Sequence, residues 1–396
     1  MKTADIEKIH EAGLITAEQR DRIIAHFNLK DEGSRFLTII SFIGGVLVAA
    51  GVVLLISAHW NEIPAAVKIA LGLLLMLGTH AAGWRLREGR GRYPKTGEAL
   101  QFIGSALFLA NIALVGQIYN LHSRLPDAFL LWLAGIAALP WLLRSKAQFV
   151  LMLGALAAWF GCEINERTSL IYCGNEAQMI PYALLGLIFL GAGYWLRRSA
   201  YPEFAGPAEK TGALGLLLFA YPLTWAGFLN WPDYGEAICR WLVPVMALLA
   251  AGLAVSGLAR FEALNQQWRR VWMATLTAAA GLLVAAFFLP HGSPWLGANN
   301  FNGMNAVATM ALFVFCLIQI QAGLQQRSRF LVNLGVTFIA LDIISAYFGL
   351  FGTMAFTGLM FVVSGVFLIL FGVFLEKKRR DFIRKIKTST ATEAQS

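Results

Sequence analysis

The chain has 396 residues, of which 58% are hydrophobic and only 14% are charged, against roughly 25% charged in an ordinary soluble domain. This composition, with a mean hydropathy of +0.62, excludes a soluble enzyme of one or two domains, a disordered chain and a disulfide-stapled secreted module. It predicts an all-α, polytopic transmembrane helical bundle, in which the formal charge of +9 orients the chain in the lipid bilayer and does not bind nucleic acid.

The N-terminal segment, residues 1–35, is hydrophilic and predicts a short cytoplasmic helical hairpin and not a signal peptide. Thr16 and Gln19 have the spacing of a capping box, which begins the second helix. Two short helices bury too little surface to be stable alone. We therefore expect the hairpin either to lie on the membrane domain or to dock a cytoplasmic protein partner through residues 1–30.

The transmembrane bundle is predicted to occupy residues 36–375, with about twelve spans. Each apolar stretch crosses about 30 Å of hydrocarbon as a helix, because lipid offers no partner to unpaired backbone groups. The fifth stretch is short, and we interpret it as tilted, broken or only partly inserted. The twelve are residues 36–57, 63–84, 98–118, 127–143, 147–162, 179–196, 212–230, 237–258, 271–289, 304–323, 330–349 and 354–375.

Basic residues orient these spans. If the N-terminus lies inside and the spans alternate, 28 Lys and Arg residues fall in cytoplasmic segments, and only Arg124, Arg167 and Arg240 fall outside. Such a bias predicts a cell (inner) membrane protein with both termini in the cytoplasm. The basic cytoplasmic tail, residues 376–396, is predicted to bind anionic lipids at the membrane surface.

Several motifs carry a family resemblance. They are AGLITAEQ at residues 12–19, SFIGG at 41–45, AHWNEIP at 58–64 and GQIYN at 116–120. Together they resemble bacterial predicted membrane proteins of the domain of unknown function 2157 family, best over residues 1–160. The resemblance implies a bacterial inner-membrane protein with an N-terminal cytoplasmic segment, and it implies no activity or catalytic residue.

Short echoes suggest an internal repeat. Lys-Thr-Gly occurs at residues 95–97 and 210–212, and Pro-Asp occurs at 126–127 and 232–233. The offset is four spans and just over 100 residues, which would fit three four-span units in the same orientation. Duplication and chance both explain echoes of this length.

Three polar residues form a candidate intramembrane polar site. Asp342 lies twelve residues beyond Phe330, Asn111 twelve beyond Ala99 and Thr224 twelve beyond Gly212. Each is therefore about 18 Å from the inner end of its span at a helical rise of about 1.5 Å per residue. An aspartate at the bilayer centre costs about 2.5–3.5 kcal/mol. Asp342 is therefore interpreted either as a carboxyl that carries a proton or binds a cation, or as an acid that holds helices together.

The cysteines predict no metal site, because they lack Cys-x-x-Cys spacing and histidine neighbours. Cys162 and Cys173 lie at or in the predicted outer loop 163–178 and form a candidate disulfide.

No cofactor, catalytic residue or nucleotide-binding loop is predicted from the sequence. The leading hypothesis is therefore a multi-pass inner-membrane protein of unknown function and without enzymatic activity of its own, with transport of a small molecule or an ion as its candidate role. The alternatives are a non-transporting structural or regulatory subunit, and an intramembrane enzyme acting on lipid-linked substrates. A transporter needs a water-accessible cavity that reaches Asp342 or Asn111, whereas a scaffold predicts a filled bundle. The sequence leaves the oligomeric state open.

Overall fold

The computed structural model describes residues 62–89, 94–169, 171–173, 178–225, 237–259, 261–288 and 303–351, together with a few residues near each end. The chain divides into two compact units, residues 1–71 and 72–396. The predicted span 36–57 lies outside the described residues, as do most of the span 354–375, the hairpin 1–35 and the tail 376–396.

All regular elements in the described part of the chain are helical. The α-helices are α1 (Ala65–Trp84), α2 (Pro94–Ile118), α3 (Leu125–Ile136), α4 (Leu139–Leu143), α5 (Lys146–Asn165), α6 (Met179–Leu196), α7 (Ala205–Ala220), α8 (Ala237–Leu258), α9 (Gln266–Phe288), α10 (Gly303–Gln325) and α11 (Arg329–Phe351). A π-helical turn (Arg85–Gly89) follows α1, and 3₁₀ turns precede and follow α7 (Pro202–Phe204 and Tyr221–Thr224).

Nine stretches of the described residues are long and apolar enough to cross a membrane. They coincide with nine of the twelve predicted spans, and α3 and α4 together form one of them. These helices satisfy their own backbone hydrogen bonds, as the hydrocarbon core requires. The described residues confirm a multi-pass helical architecture, while the span count of the whole chain and the three-unit repeat stay predictions.

In the first unit, the predicted capping box is present. The backbone N–H of Gln19 donates to Thr16 Oγ1 at 3.3 Å, and the N–H of Thr16 donates to Gln19 Oε1 at 3.0 Å. These two hydrogen bonds satisfy donors that the start of a helix leaves without intrahelical partners.

The predicted short span 147–162 is a full helix in the structure. α5 has 20 residues, which is about 30 Å of helix. Its N-cap is Ser145, whose Oγ accepts from the Gln148 N–H at 3.3 Å and donates to Glu98 Oε1 of α2 at 2.6 Å. The cap therefore begins α5 and joins it to α2.

The predicted span 212–230 was placed too late in the chain. α7 begins at Ala205 and ends at Ala220, and one 3₁₀ turn follows. Pro222 explains the end, because it has no N–H for the bond to the residue four positions earlier. The start was missed because Glu209 looked like a loop residue, whereas it is buried within α7.

α6 is the central helix of the described bundle. α7, α8 and α9 all pack on it, and Ile180, Leu187 and Tyr194 along its length are fully buried. Its sequence is apolar on every face, which is typical of a helix surrounded by other helices. α1 differs from α6 in burial, because Gly83 is the one buried residue of α1.

Glycines bring the backbones of α6 and α7 together. A Cβ on Gly186 would lie 2.2 Å from Leu216 N, and a Cβ on Gly212 would lie 2.2 Å from Leu190 N. Small residues at such positions allow close approach of membrane helices, where packing and not hydrophobic expulsion drives association. This approach brings the first turns of α7 against the C-terminal end of α6.

Candidate functional site

The three polar residues of the predicted layer lie on separate elements, and all are buried. Asn111 lies on α2, Thr224 ends the 3₁₀ turn after α7, and Asp342 lies on α11. The 3₁₀ turn packs on both α10 and α11, whereas α2 packs mainly on α3, α5 and the π-helical turn. The structure therefore places the element of Thr224 beside the helix of Asp342 and gives Asn111 a different set of neighbours.

Asn111 joins α2 to α1. Its Nδ2 donates to the carbonyl of Gly72 at 3.2 Å and to that of Leu107, in its own helix, at 2.9 Å. A Cβ on Gly72 would lie 2.1 Å from Asn111 Oδ1, so only a glycine leaves room for the amide. These contacts give Asn111 a structural role between two helices.

Thr224 closes the turn in which it lies. Its Oγ1 donates to the carbonyl of Tyr221 at 2.8 Å. Because α7 begins at Ala205, Thr224 stands at the end of this helical segment and not at its middle. The Thr224 hydroxyl thus bonds the backbone of its own turn.

Asp342 differs from the other two residues. It is 1% exposed, and its Oδ1 has no hydrogen-bond partner among the described residues. The buried thiol of Cys316, on α10, lies close enough to interact electrostatically with this carboxyl. Two side chains also bond the backbone around Asp342. Tyr221 Oη donates to the carbonyl of Leu341 at 3.3 Å, and Ser345 Oγ donates to the carbonyl of Asp342 at 3.0 Å.

A buried asparagine that the sequence analysis missed lies at the start of α10. Asn305 is fully buried, and its Nδ2 donates to the carbonyls of Trp225 at 2.7 Å and Leu223 at 3.3 Å. Asn305 therefore joins the start of α10 to the end of the 3₁₀ turn. The available signal was an amide side chain inside the predicted span 304–323.

A second polar cluster, also missed, joins the C-terminal end of α6 to α7. Arg197 pairs with Glu209 in a bidentate manner, with Nε–Oε1 at 2.5 Å and Nη2–Oε2 at 2.7 Å. Glu209 is 4% exposed. Gly193 makes room for the acid, because a Cβ there would lie 2.5 Å from Glu209 Cγ.

The hydroxyl of Tyr194 extends this cluster to two further elements. It accepts hydrogen bonds from Trp272 Nε1 of α9 at 2.9 Å and from Gln326 Nε2, just after α10, at 3.2 Å. The Arg197 guanidinium stacks 4.9 Å from the ring centroid of Phe261. One end of the bundle is thus held by polar contacts from α6, α7, α9 and the loop after α10.

The predicted pairing of Cys162 with Cys173 is wrong. Cys162 is a free thiol, whereas Cys173 is disulfide-bonded. Cys162 lines a cavity of about 440 Å³ beside Tyr182, while the buried Cys173 donates its backbone N–H to the carbonyl of Ile164 at 2.9 Å. Nearness in the sequence suggested the pair, but the last turn of α5 gives the two side chains different surroundings.

The described residues contain no group of three or more His, Cys, Asp or Glu side chains that could hold a metal ion. The polar clusters consist of single carboxyls, amides and hydroxyls, together with the Arg197 guanidinium and the Trp272 indole. Their contacts are hydrogen bonds and one ion pair.

These helices and their buried polar residues define a multi-pass α-helical membrane protein. Residues 7–149, which include α1 to α4 and the start of α5, match the family model described as "Predicted membrane protein (DUF2157)". The match confirms the resemblance seen in the sequence motifs. No curated protein and no solved structure matches the chain.

Proposed function

We propose that this membrane protein is an inner-membrane transporter of an ion or a small molecule, with both termini in the cytoplasm, and that Asp342 is its proton-carrying group. The observation that carries the proposal is the Oδ1 of this carboxyl, which lies on an apolar helix, is buried in a residue 1% exposed, and has no hydrogen-bond partner in the described part of the chain. An ionisable residue inside a membrane is costly, and such residues commonly mark the path of an ion or a substrate.

The surroundings of Asp342 support a moving part. α7 gives way to a 3₁₀ turn at Tyr221, and this turn packs against α10 and α11. Interrupted helices near buried polar groups are common at the binding sites of secondary transporters. A shift of the 3₁₀ turn would break the hydrogen bonds of Asn305 to Leu223 and Trp225 and open a path for water to the carboxyl.

The test is proton flux in sealed liposomes of phosphatidylethanolamine and phosphatidylglycerol. The full chain is reconstituted, a potassium diffusion potential is imposed, and a trapped pH dye reports proton entry. We expect entry above that of protein-free vesicles, loss of it in Asp342→Asn and retention in Asp342→Glu. Asp127→Asn, at a half-exposed carboxylate, is the matched control and should keep the flux. Proton entry no faster than in protein-free vesicles would refute the proposal, and so would a flux in Asp342→Asn equal to that of the wild type.

A second candidate function is a non-transporting subunit that docks a cytoplasmic protein through residues 1–30. One observation favours it: neither Asp342 nor Asn111 lines the cavity beside Cys162 or the cleft of about 680 Å³ between α7, α9 and α10. Deletion of residues 1–30 separates the two functions. Loss of function with normal membrane insertion, and with unchanged proton flux, supports docking; unaltered function in the deletion contradicts it.

A further inference from the structure

An apolar cleft of about 680 Å³ lies between α7, α9 and α10. Its wall on α9 extends from Val271 to Ala286, and its wall on α10 extends from Val307 to Ile318. No charged side chain is among its described lining residues. The hydroxyl of Thr275, the one polar group there, already donates to the carbonyl of Val271 at 2.8 Å. The cleft therefore offers a ligand only hydrocarbon contacts.

The cleft is long. Its α9 wall covers 15 residue steps, or about 22 Å, which exceeds the roughly 15 Å of hydrocarbon in one bilayer leaflet. Small side chains from two helices leave the space open; they are Ala274, Ala278, Ala285, Ala308 and Ala311. Its volume is that of an ordinary ligand pocket. An elongated slot with these walls suits an acyl chain better than a compact polar solute.

One end of the cleft is basic. α9 begins where α10 ends, because the two are antiparallel neighbours. Arg269 and Arg270 lie in the first turns of α9, directly before the lining residue Val271, and Arg327 and Arg329 follow α10. Within the described residues, neither Arg269 nor Arg270 has an ion-pair partner. This end of the cleft carries a net positive charge, because these four arginines face one acid, Glu262, in the loop before α9.

We propose that this cleft binds one anionic phospholipid, with an acyl chain between α9 and α10 and the phosphate held by Arg269 and Arg270. Basic pockets between membrane helices bind phospholipid headgroups in this manner, because the guanidinium pairs with phosphate at the interface. The positive-inside orientation places this end in the cytoplasmic leaflet, where anionic lipids are attracted to basic residues. The proposal is independent of Asp342 and of transport.

The first experiment uses the full wild-type chain in detergent. Phosphatidylglycerol and phosphatidylcholine with identical acyl chains are titrated in competition, and native mass spectrometry counts the bound lipids. We expect one phosphatidylglycerol to be retained per chain, with about tenfold preference over phosphatidylcholine. A phosphatidylglycerol with a diazirine in its acyl chain should cross-link to the segments 271–286 and 307–318. Cross-links confined to other helices, or equal retention of the two lipids, would overturn the proposal.

Variants separate the acyl slot from the headgroup contacts. Ala278→Trp fills the cleft and should remove the retained lipid, whereas Gly281→Trp, on the same helix with open space around its Cα, should not. The double variant Arg269→Gln with Arg270→Gln should abolish the preference for phosphatidylglycerol while keeping the cross-links. Lys146→Gln, a basic residue in the first turn of α5, is its matched control. Retention of both lipid and preference in the arginine variant contradicts the headgroup assignment.

Another occupant of the cleft gives a distinct result. With photo-leucine, a near-isosteric diazirine analogue, incorporated in place of leucine, the lipid proposal predicts cross-links from the lining residues Leu282 and Leu312 to phospholipid. Cross-links within the chain would show that another of its segments fills the cleft, and cross-links between chains would show a second copy. Either of those results refutes the proposal. Because photo-leucine keeps the lining side chains close to their native size, this readout holds even if Ala278→Trp fails to fold.

Discussion

Arg197 and Glu209 form a two-bonded ion pair across the glycine-lined contact of α6 and α7, at 2.5 and 2.7 Å. The pair joins the C-terminal end of α6, the central helix of the described bundle, to α7. It also stands beside Tyr194, whose hydroxyl binds two further elements. The polar contacts of this end fix the relative positions of helices that otherwise meet through apolar packing.

The two halves of this pair should not contribute equally to stability. The Glu209 side chain is 6% exposed and that of Arg197 is 38% exposed. Arg197→Met leaves a buried carboxylate without its partner and should lower the free energy of unfolding by about 3 kcal/mol. Glu209→Gln leaves a cation that reaches water and should lower it by about 1 kcal/mol. Unfolding in increasing SDS measures both. Lys210→Met, at the exposed neighbouring position, should change little, and equal losses in the two pair variants would contradict the assigned burial.

Tyr194→Phe tests the hydroxyl that accepts two hydrogen bonds. Removing it leaves the buried Trp272 N–H and the Gln326 amide without this acceptor, and the expected loss is about 1–3 kcal/mol. Tyr182→Phe is the matched control, since the Tyr182 hydroxyl makes no hydrogen bond to the described residues. If SDS unfolding shifts equally in both variants, the Tyr194 hydroxyl has no special role.

Gly212→Ala tests the close contact of α6 and α7. The new Cβ would lie 2.2 Å from a backbone nitrogen of α6, which cannot move aside, so we expect a loss of about 1–3 kcal/mol or more. Gly206→Ala, on the same helix with nothing within 4 Å of the added carbon, should be neutral or slightly stabilising. Thermal unfolding in detergent compares the two. Equal melting temperatures would exclude a tight contact at Gly212.

Thiol labelling tests the corrected cysteine assignment. The sequence contains Cys162, Cys173, Cys239 and Cys316, of which Cys162 is a free thiol and Cys173 is bonded. Cys173→Ser should expose one new thiol, which peptide mapping after alkylation will locate. Cys162→Ser should leave the number of disulfides unchanged. Loss of the disulfide in Cys162→Ser would restore the pairing predicted from the sequence.

The predicted orientation is tested with topology reporters. A phosphatase fused after residue 170 should be exported and active, because that loop is expected outside, and a fluorescent protein at residue 396 should be bright in the cytoplasm. The distribution of Lys and Arg is the physical basis of both expectations. A cytoplasmic reporter at residue 170, or an exported one at the C-terminus, would reverse the arrangement.

Helix boundaries show where sequence reasoning reaches its limit. Span 179–196 was predicted as it stands in the structure, because apolar length alone defines it. The start of α7 was missed since a buried acid looks like a loop residue until its partner is known. Likewise, Asn111 and Asp342 looked equivalent by depth, yet one amide is satisfied by backbone carbonyls and one carboxyl oxygen is not.

The sequence by itself determined that the chain is a membrane protein with several apolar helices, and it predicted which flank carries the positive charge. These properties are sums over neighbouring residues, because transfer into lipid depends on the composition of each segment. Tertiary structure decided the contacts between segments: Tyr194 meets Gln326 across 132 residues, and Asn305 meets Trp225 across 80. Such contacts depend on how the helices pack against one another, and one hydropathy pattern is compatible with many different packings.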